Sequence, residues 1–477
     1  MKCEYVFFPC FAKELSLRSD SKYICSDISK ITEEYYLFSD LFEVVEKEVV
    51  DISSLSTFEY VEISNITSTE DVSPVFLDYD DRNELNENYF KKIEKGDIIT
   101  VNCDEILISR VRPYLNKILF INQVNASYYY TSAFIQIRPK VHPKLLFYSL
   151  KNVFNPVLNS ISRQGKGYPT LNEKDFYLLK FCKKQVDSLL SNNDLLEHKI
   201  SVIENEIIKL KQNICSDEDI INSIIIKEFN LDAKELHRLD CLKFLSVNFH
   251  EIPDGGIDFR DSVRYTKMRL IQQEMIKHFE ECSTLDEFLL PPKTRNGWSP
   301  DNNEIEGVTK LLGIDSLHFN GILTVDNPKY TNETREDIDS FYVKDGDFYI
   351  SRGNTVELVA LASIAGNLEE DYLFPDIMIK LYVDESKINK QFLAFLFNSI
   401  IGRLYFKYAS KGKQQTMVKV SSDTIRNFVI PKISIVDQKK IVSKIKKAIN
   451  AQNNARNKIQ YLRKEIDSLI ESAANLD

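Results

Sequence analysis

Residues 185–214 read QVDSLLSNNDLLEHKISVIENEIIKLKQNI, and their spacing decides much of the architecture. Val186, Asn193, Ile200, Ile207 and Ile214 fall seven apart, interleaved with Leu189, Leu196, Ile203 and Leu210. Such an a/d alternation lays one apolar seam along a helix, and its single polar break is Asn193. Residues 441–469, IVSKIKKAINAQNNARNKIQYLRKEIDSL, carry a second seam. There Ile445, Gln452, Ile459 and Ile466 alternate with Ile441, Ala448, Ala455, Leu462 and Leu469, and the single polar break is Gln452. Each helix could pack on its own domain, but heptads this regular favour pairing with each other. If the two halves of the chain are related by an approximate two-fold axis, the pair is antiparallel. Some four heptads at ~1.5 Å per residue then make a rod about 40 Å long.

Working outward from these helices, the chain repeats itself with a period far longer than a solenoid repeat. Glu14-Leu15, Arg18, Asp20, Lys22 and Tyr23 are echoed by Glu235-Leu236, Arg238, Asp240, Lys243 and Phe244. Lys95-Gly96-Asp97 leads to Ile108-Ser109-Arg110, as Lys344-Asp345-Gly346-Asp347 leads to Ile350-Ser351-Arg352. Strand-like alternations follow at residues 133–138 and 376–381, each with an amphipathic run behind it, Leu145 to Leu150 and Phe392 to Phe397. Then come two glycine-lysine loops, residues 163–168 (RQGKGY) and 411–415 (KGKQQ), with Asn172 and Ser421 placed as N-caps of a short turn. Each copy closes with one of the heptad helices.

Two divergent α/β copies, each ending in a long helix behind a loop and an N-cap, resemble the DNA-recognition (S) subunits of Type I restriction-modification enzymes. The second copy carries the fuller signature: Val420-Ser421, Ile425, Phe428-Val429-Ile430-Pro431 and Gln438-Lys439-Lys440-Ile441-Val442. In the first, Leu171-Asn172, Phe176 and Leu179-Lys180-Phe181 match in kind, but Cys182 and Lys183 stand where proline is expected. The resemblance implies an α/β (α+β) fold of two similar target-recognition domains, separated and joined by two long helices that form an antiparallel coiled coil. The expected boundaries are domain 1 at 1–182, the first helix at 183–215, a linker with the start of the second copy at 216–283, domain 2 at 284–432 and the second helix at 433–477.

It further implies a non-catalytic subunit that binds double-stranded DNA at an asymmetric bipartite site. Two modification subunits would dock on the helices and carry S-adenosylmethionine, and restriction subunits, where present, would use ATP and magnesium. No cofactor is expected on this chain itself.

Composition is compatible with that reading. With 43% hydrophobic and 28% charged residues, 477 residues suit several soluble domains. No signal peptide and no membrane-length apolar run is legible, and the eight cysteines show no metal or disulfide spacing, so a cytoplasmic protein without a metal site is expected. The net charge of −10 argues against a polyanion ligand unless basic residues cluster. Arg403, Lys407, Lys411, Lys413, Lys419 and Arg426 are such a cluster, opposed in their segment only by Asp423.

For DNA contact, Arg and Lys suit phosphates and guanine edges, Asn and Gln suit adenine, and aromatics stack. In the first copy the candidates are Arg110 and Arg112, with Tyr114 and Asn116, and then Arg163, Gln164, Lys166 and Tyr168. In the second they are Arg352 and Asn354, then Lys411, Lys413, Gln414, Gln415 and Lys419, with Trp298, Lys293 and Arg295 as a further group. Gly165, Gly167, Gly353 and Gly412 would let backbone approach phosphate. The residues assigned to the coiled-coil interface are Leu189, Asn193, Leu196, Ile200, Ile203, Ile207, Leu210, Ile445, Gln452, Ile459, Leu462 and Ile466. No phosphate-binding loop, dinucleotide fingerprint, zinc-protease motif or adenine-methyltransferase tetrapeptide is present, so no catalytic residue is assigned. Two rivals remain, a metal-dependent nuclease built on Pro375-Asp376 and Glu385-Ser386-Lys387, and a purely structural coiled-coil adaptor without DNA binding.

Overall fold

The computed structural model describes residues 34–48, 50–80, 86–164, 167–191, 193–242, 259–300, 307–414 and 417–475. Two compact units divide the chain, one of Met1–Gln212 with Lys458–Asp477 and the other of Asn213–Asn457.

The strands of the first unit are β1 (Tyr35–Leu37), β2 (Phe42–Val44), β3 (Thr57–Val61), β4 (Val75–Asp78), β5 (Ile106–Ser109), β6 (Ile118–Phe120), β7 (Tyr129–Tyr130), β8 (Phe134–Pro139), β9 (Arg163–Gln164), β10 (Pro169–Thr170) and β11 (Lys180–Cys182). Those of the second are β12 (Cys282–Thr284), β13 (Leu289–Asn296), β14 (Thr309–Leu311), β15 (Lys329–Thr331), β16 (Phe348–Ser351), β17 (Gly353–Asn354), β18 (Ala362–Ile364), β19 (Tyr372–Leu373), β20 (Met378–Val383), β21 (Lys411–Gln414), β22 (Met417–Lys419) and β23 (Val429–Pro431).

The sheet orders repeat. A four-stranded sheet β2-β8-β5-β6 answers β13-β20-β16-β18, and a three-stranded sheet β4-β3-β7 answers β15-β14-β19. The β1–β11 pair answers β12–β23, with Cys182 opposite Tyr35 where Pro431 lies opposite Cys282. Cys182 thus occupies the place that proline holds in the other copy.

The duplication is therefore one fold built twice, and the physical reason is the shared apolar pattern. Central strands β5 and β16 are buried at every position, as strands covered on both faces must be. In the second unit Phe348 and Ile350 face the core under helix Lys390–Asn398, while Tyr349 faces the core of the smaller sheet with Leu311 and Leu373. Gly96 and Gly346, one in each copy of the turn that carries Asp97 or Asp347, have φ of +85° and +78°, which explains glycine at both places. Asn172 and Ser421 cap as expected, accepting hydrogen bonds from the backbone N–H of Lys174 and Thr424.

Three departures from expectation stand out. First, the strand pattern of the second copy opens at Cys282, and Glu235 to Asp240 lie in helix Ala233–Cys241. Glu14 to Tyr23, Lys243 and Phe244 lie outside the described residues. The segment between the copies adds helices Asp217–Glu228, Ala233–Cys241 and Phe259–Ile276, whose Ile221, Ile225, Leu236, Ile271 and Met275 join the second unit's main core. Asp240 ties this layer to the copy, accepting from Tyr408 Oη at 2.6 Å and pairing with Lys407 at 2.9 Å.

Second, the first heptad segment is helical over Lys183–Ser191 and Asn193–Lys211, on either side of a residue outside the described ones, and it stops short of Ile214, which falls in the joint before Asp217. Third, the seam of helix Ile435–Ala474 drifts: Ile449 and Ile470 are buried in place of the half-buried Ala448 and Leu469. A straight helix turns about 20° per heptad away from a strict seven-residue repeat, so the neighbouring position rotates inward.

The remaining interface residues behave as a seam. Val186, Leu189, Leu196, Ile200, Ile203, Ile207, Ile445, Ile459, Leu462 and Ile466 are buried, and Leu210 is half-buried. Within the first unit Ser188 Oγ donates to Ala473 O at 2.6 Å and Lys458 pairs with Glu206 at 3.7 Å, which makes the helices antiparallel. Within the second, Arg456 pairs with Asp217 at 3.2 Å and Lys444 with Glu228 at 2.7 Å, again antiparallel. Both polar breaks have partners. Asn193 Nδ2 bonds His142 Nε2 at 2.8 Å. Gln452 donates to Asn213 O at 3.0 Å and accepts from Cys215 N–H at 3.3 Å, holding the joint where the first helical segment breaks. Among the described residues no helix is long and apolar enough to cross a membrane.

Candidate nucleic-acid interface

Each unit brings its two candidate groups together beside one β-hairpin. In the second, β21 and β22 form a hairpin and β17 adds a third strand, placing Gly353 opposite Lys419 and Asn354 opposite Val418. Arg352 leads into β17, its N–H bonded to Ile377 O at 2.7 Å and its carbonyl accepting from Val420 N–H at 2.9 Å. Residues more than 60 positions apart in sequence are thereby joined.

In the first unit β9 and β10 form the hairpin, and the chain after β5 runs alongside it through the Val111–Thr170 bridge and the Arg112 N–H to Pro169 O bond of 2.9 Å. The backbones of Gln164, Lys413 and Gln414 lie in these hairpins, while Lys166, Gly165 and Gln415 lie outside the described residues.

The electrostatics of the two hairpins differ. In the first, Arg163 makes a two-pronged pair with Asp175, Nε to Oδ2 at 2.6 Å and Nη2 to Oδ1 at 2.5 Å. The Asp175 side chain is only 3% exposed, so Arg163 serves first to neutralise a buried carboxylate. Arg110 pairs with Glu173, which also reaches Lys47 at 3.6 Å. Burial, together with the neighbouring Arg110 charge, holds the Lys47 ammonium below its ordinary range against the pull of Glu173. Arg112 lies over the Tyr168 ring at 3.8 Å, with Tyr168 itself exposed. Asn116 points away from solvent, donating to Lys151 O at 2.9 Å.

In the second hairpin Lys411 and Lys419 are both exposed, stand directly opposite each other, and have no ion-pair partner among the described residues. Like charges in that position destabilise a sheet, so the arrangement suits an anion placed over the strands. Asn354 uses its Oδ1 on Thr355 N–H at 2.8 Å and keeps its amide for other partners, and Arg352 Nη1 reaches Asp376 O at 3.4 Å.

Several sequence candidates are committed elsewhere. Of the basic cluster, Arg403 is buried and donates to Phe397 O, Glu357 O and Val359 O, burial lowering its guanidinium to about 10. Lys407 belongs to Asp240, and Arg426 to Asp423 and Asp286. Lys293 pairs with Asp286, Arg295 with Asp337 and the Phe341 ring, and Trp298 packs on the core. Tyr128 to Tyr130 end in strand β7, with Tyr130 buried. Sequence reading missed Glu173 and Asp175, whose place behind the N-cap Asn172 looks like ordinary helix-start chemistry.

The nuclease arrangement does not form. Asp376 precedes strand β20 and Glu385 follows it, so six residues at ~3.3 Å each keep the carboxylates more than about 15 Å apart. Glu385 pairs with Lys390, Lys387 with Asp384, and Asp376 accepts from Ser299 Oγ at 2.6 Å. Among the described residues no group of three or more metal-ligating side chains occurs.

No protein-family profile matches the chain. A curated relative, the Type I restriction enzyme EcoEI specificity subunit of Escherichia coli, is 20% identical over 192 residues, which are 38% of this chain and 31% of the relative. The chain is similar to a Type I specificity subunit. The match spans less than a third of that curated relative's length.

Solved specificity-subunit structures align at low similarity over nearly the whole length. The HsdS subunit of Thermoanaerobacter tengcongensis is 14% identical, with 92% of this chain and 96% of that one covered at a TM-score of 0.33. The Type I S subunit of M. genitalium is 11% identical, with 93% and 96% covered at 0.41. A chain from a study of complex assembly in a type I R-M system is 13% identical, with 92% and 97% covered at 0.41.

Proposed function

We propose that this chain is the DNA-reading subunit of a Type I restriction-modification enzyme. It would bind an asymmetric bipartite site in double-stranded DNA and hold the modification subunits, and restriction subunits where they accompany it, in the cytoplasm. The observation that carries the reading is the repeated hairpin sheet with basic side chains, present once in each copy of one fold, with each copy leading into a helix of an antiparallel pair. On this reading residues 1–182 and 284–432 each read one half-site, and the helices set the gap between halves. Methyl transfer belongs to partners that bind S-adenosylmethionine, and this chain carries no catalytic group and no cofactor of its own.

The resolving experiment compares adenine methylation across the genome in cells with and without the chain. A two-part methylated motif that disappears with the chain, and changes in one half only when 284–432 are exchanged, is the expected result. Methylation independent of the chain, or magnesium-dependent cleavage by the purified chain alone, would overturn the proposal.

A further inference from the structure

Next to the first unit's hairpin, the chain makes a single 3-10 turn, Pro113–Leu115, held between two residues in the left-handed region. Arg112 has φ 52° and ψ 57°, and Asn116 has φ 51° and ψ 37°. Neither is glycine, so both conformations cost free energy that the surroundings must offset.

They are held from both sides. Arg112 N–H donates to Pro169 O at 2.9 Å on the hairpin, and its guanidinium lies over the Tyr168 ring. Asn116 is the end of an asparagine relay: Asn159 donates to Asn155 Oδ1 at 2.6 Å, Asn155 donates to Asn116 Oδ1 at 2.8 Å, and Asn116 donates to Lys151 O. Pro113 is buried beneath the turn.

What this framework presents is apolar and solvent-facing. Tyr114 is 58% exposed and Leu115 is 41% exposed. The fold does not require a protruding turn here. In the second copy the chain after β16 turns inward, with Val359, Ala360 and Leu361 buried and Val356 packed on the core.

Resting on the DNA-reading proposal above, we propose that Tyr114 and Leu115 form a rigid wedge that enters the base stack of the duplex lying along hairpin β9–β10. Three features favour DNA as the occupant. The turn is continuous with the segment that bridges the hairpin at Val111–Thr170, the Arg112 guanidinium beside it is a cation suited to a polyanion, and an aromatic paired with an aliphatic side chain on a fixed backbone suits unstacking of a base step. Unstacking one step kinks the duplex and lets more of it meet the protein.

The test uses the full chain assembled with its modification subunits and the duplex identified by methylation mapping. 2-Aminopurine replaces one purine at a time, the methylated adenine excluded, and binding is followed independently by anisotropy of an end label. The wedge predicts a several-fold fluorescence rise at a step within one half-site. It also predicts that Tyr114→Ala with Leu115→Ala abolishes the rise and weakens binding roughly tenfold or more, as loss of a stacked aromatic does. Tyr114→Trp should keep the rise. Both side chains are exposed, so an unchanged melting temperature is expected for every variant.

A bound native complex without any rise, or a double variant that keeps it, overturns the wedge while leaving the DNA-reading proposal intact. A double variant that no longer assembles with the modification subunits assigns the turn to protein docking instead, and overturns it too. A native complex that shows no anisotropy change overturns the DNA-reading proposal and the wedge together.

Discussion

Replacing Lys411 and Lys419 by glutamine should make the protein more stable and its DNA binding weaker. The two lysines face each other across β21 and β22, exposed and without an ion-pair partner among the described residues. A like-charge pair in that position costs on the order of 0.2–1 kcal/mol. Removing it should raise the melting temperature by about 0.4–4 °C, at 2–4 °C per kcal/mol for a unit of this size.

If both lysines neutralise phosphates, each contributes about 0.9 to the slope of log affinity against log salt, so the double variant should lose about 1.8. Over a fourfold rise in salt, from about 50 to 200 mM, the native complex would then weaken about twelvefold more than the variant. Anisotropy titrations of the assembled complex at four or five salt concentrations read the slope, and scanning calorimetry reads the stability. An unchanged slope would refute the assignment of this hairpin to phosphate, whatever happens to affinity at one salt concentration. A lowered melting temperature would refute the argument that the pair is an unrelieved repulsion.

The first hairpin should respond differently: Arg163→Ala leaves the buried Asp175 carboxylate short of its partner and should cost about 1–3 kcal/mol of stability, measured by urea unfolding, with Arg163→Lys recovering only part. Asp71 binds Lys211 at 2.6 Å and Arg463 at 3.2 Å. Burial raises its carboxyl, but hydrogen bonds from Lys211 and Thr69 and the Lys211 and Arg463 charges outweigh that and leave it below the ordinary range. A depressed folded value stabilises above the unfolded value of about 3.9 and is lost as pH falls through the lower folded one, so Asp71→Asn should lower the melting temperature at pH 7 by an amount that vanishes in acid. The side chain is 44% exposed, so the effect should stay below about 1 kcal/mol; an equal gap at pH 3 and pH 7 would contradict it. Inserting one heptad after Ile203 and another after Ile459 keeps both seams in register and lengthens the helix pair by about 10 Å, near three base pairs. Methylation mapping should show the same half-sequences with a longer spacer, or no activity from the changed phase; altered half-site bases with an unchanged spacer would show that these helices are not the ruler.

The sequence by itself determined the repeated fold and the helix pair, because both rest on periodicity. A buried strand demands an apolar run, a seam demands apolar residues at heptad spacing, and Val186, Leu189, Leu196, Ile200, Ile203 and Ile207, with Ile445, Ile459, Leu462 and Ile466, are buried as that spacing requires, while Ile449 takes the place of Ala448. The caps Asn172 and Ser421 were legible because their chemistry is local, whereas the positive φ of Gly96 and Gly346 emerged only from the structure.

What only the tertiary structure decided was which charges are available. Arg163 and Arg110 look like Lys411 and Lys419 in sequence, yet Asp175 and Glu173 occupy the first two while the other pair stands opposed in solvent. Arg403 and Lys407, the start of the basic cluster, are claimed by the backbone carbonyls of Phe397 and Val359 and by Asp240, the latter 167 residues away from Lys407. Such partners are set by packing across large sequence separations, where Coulomb interaction depends on a distance and a degree of burial that no local pattern encodes. The same holds for the turn at Tyr114, whose exposure follows from a relay through Asn155 and Asn159 that exists only once helix and strand have met.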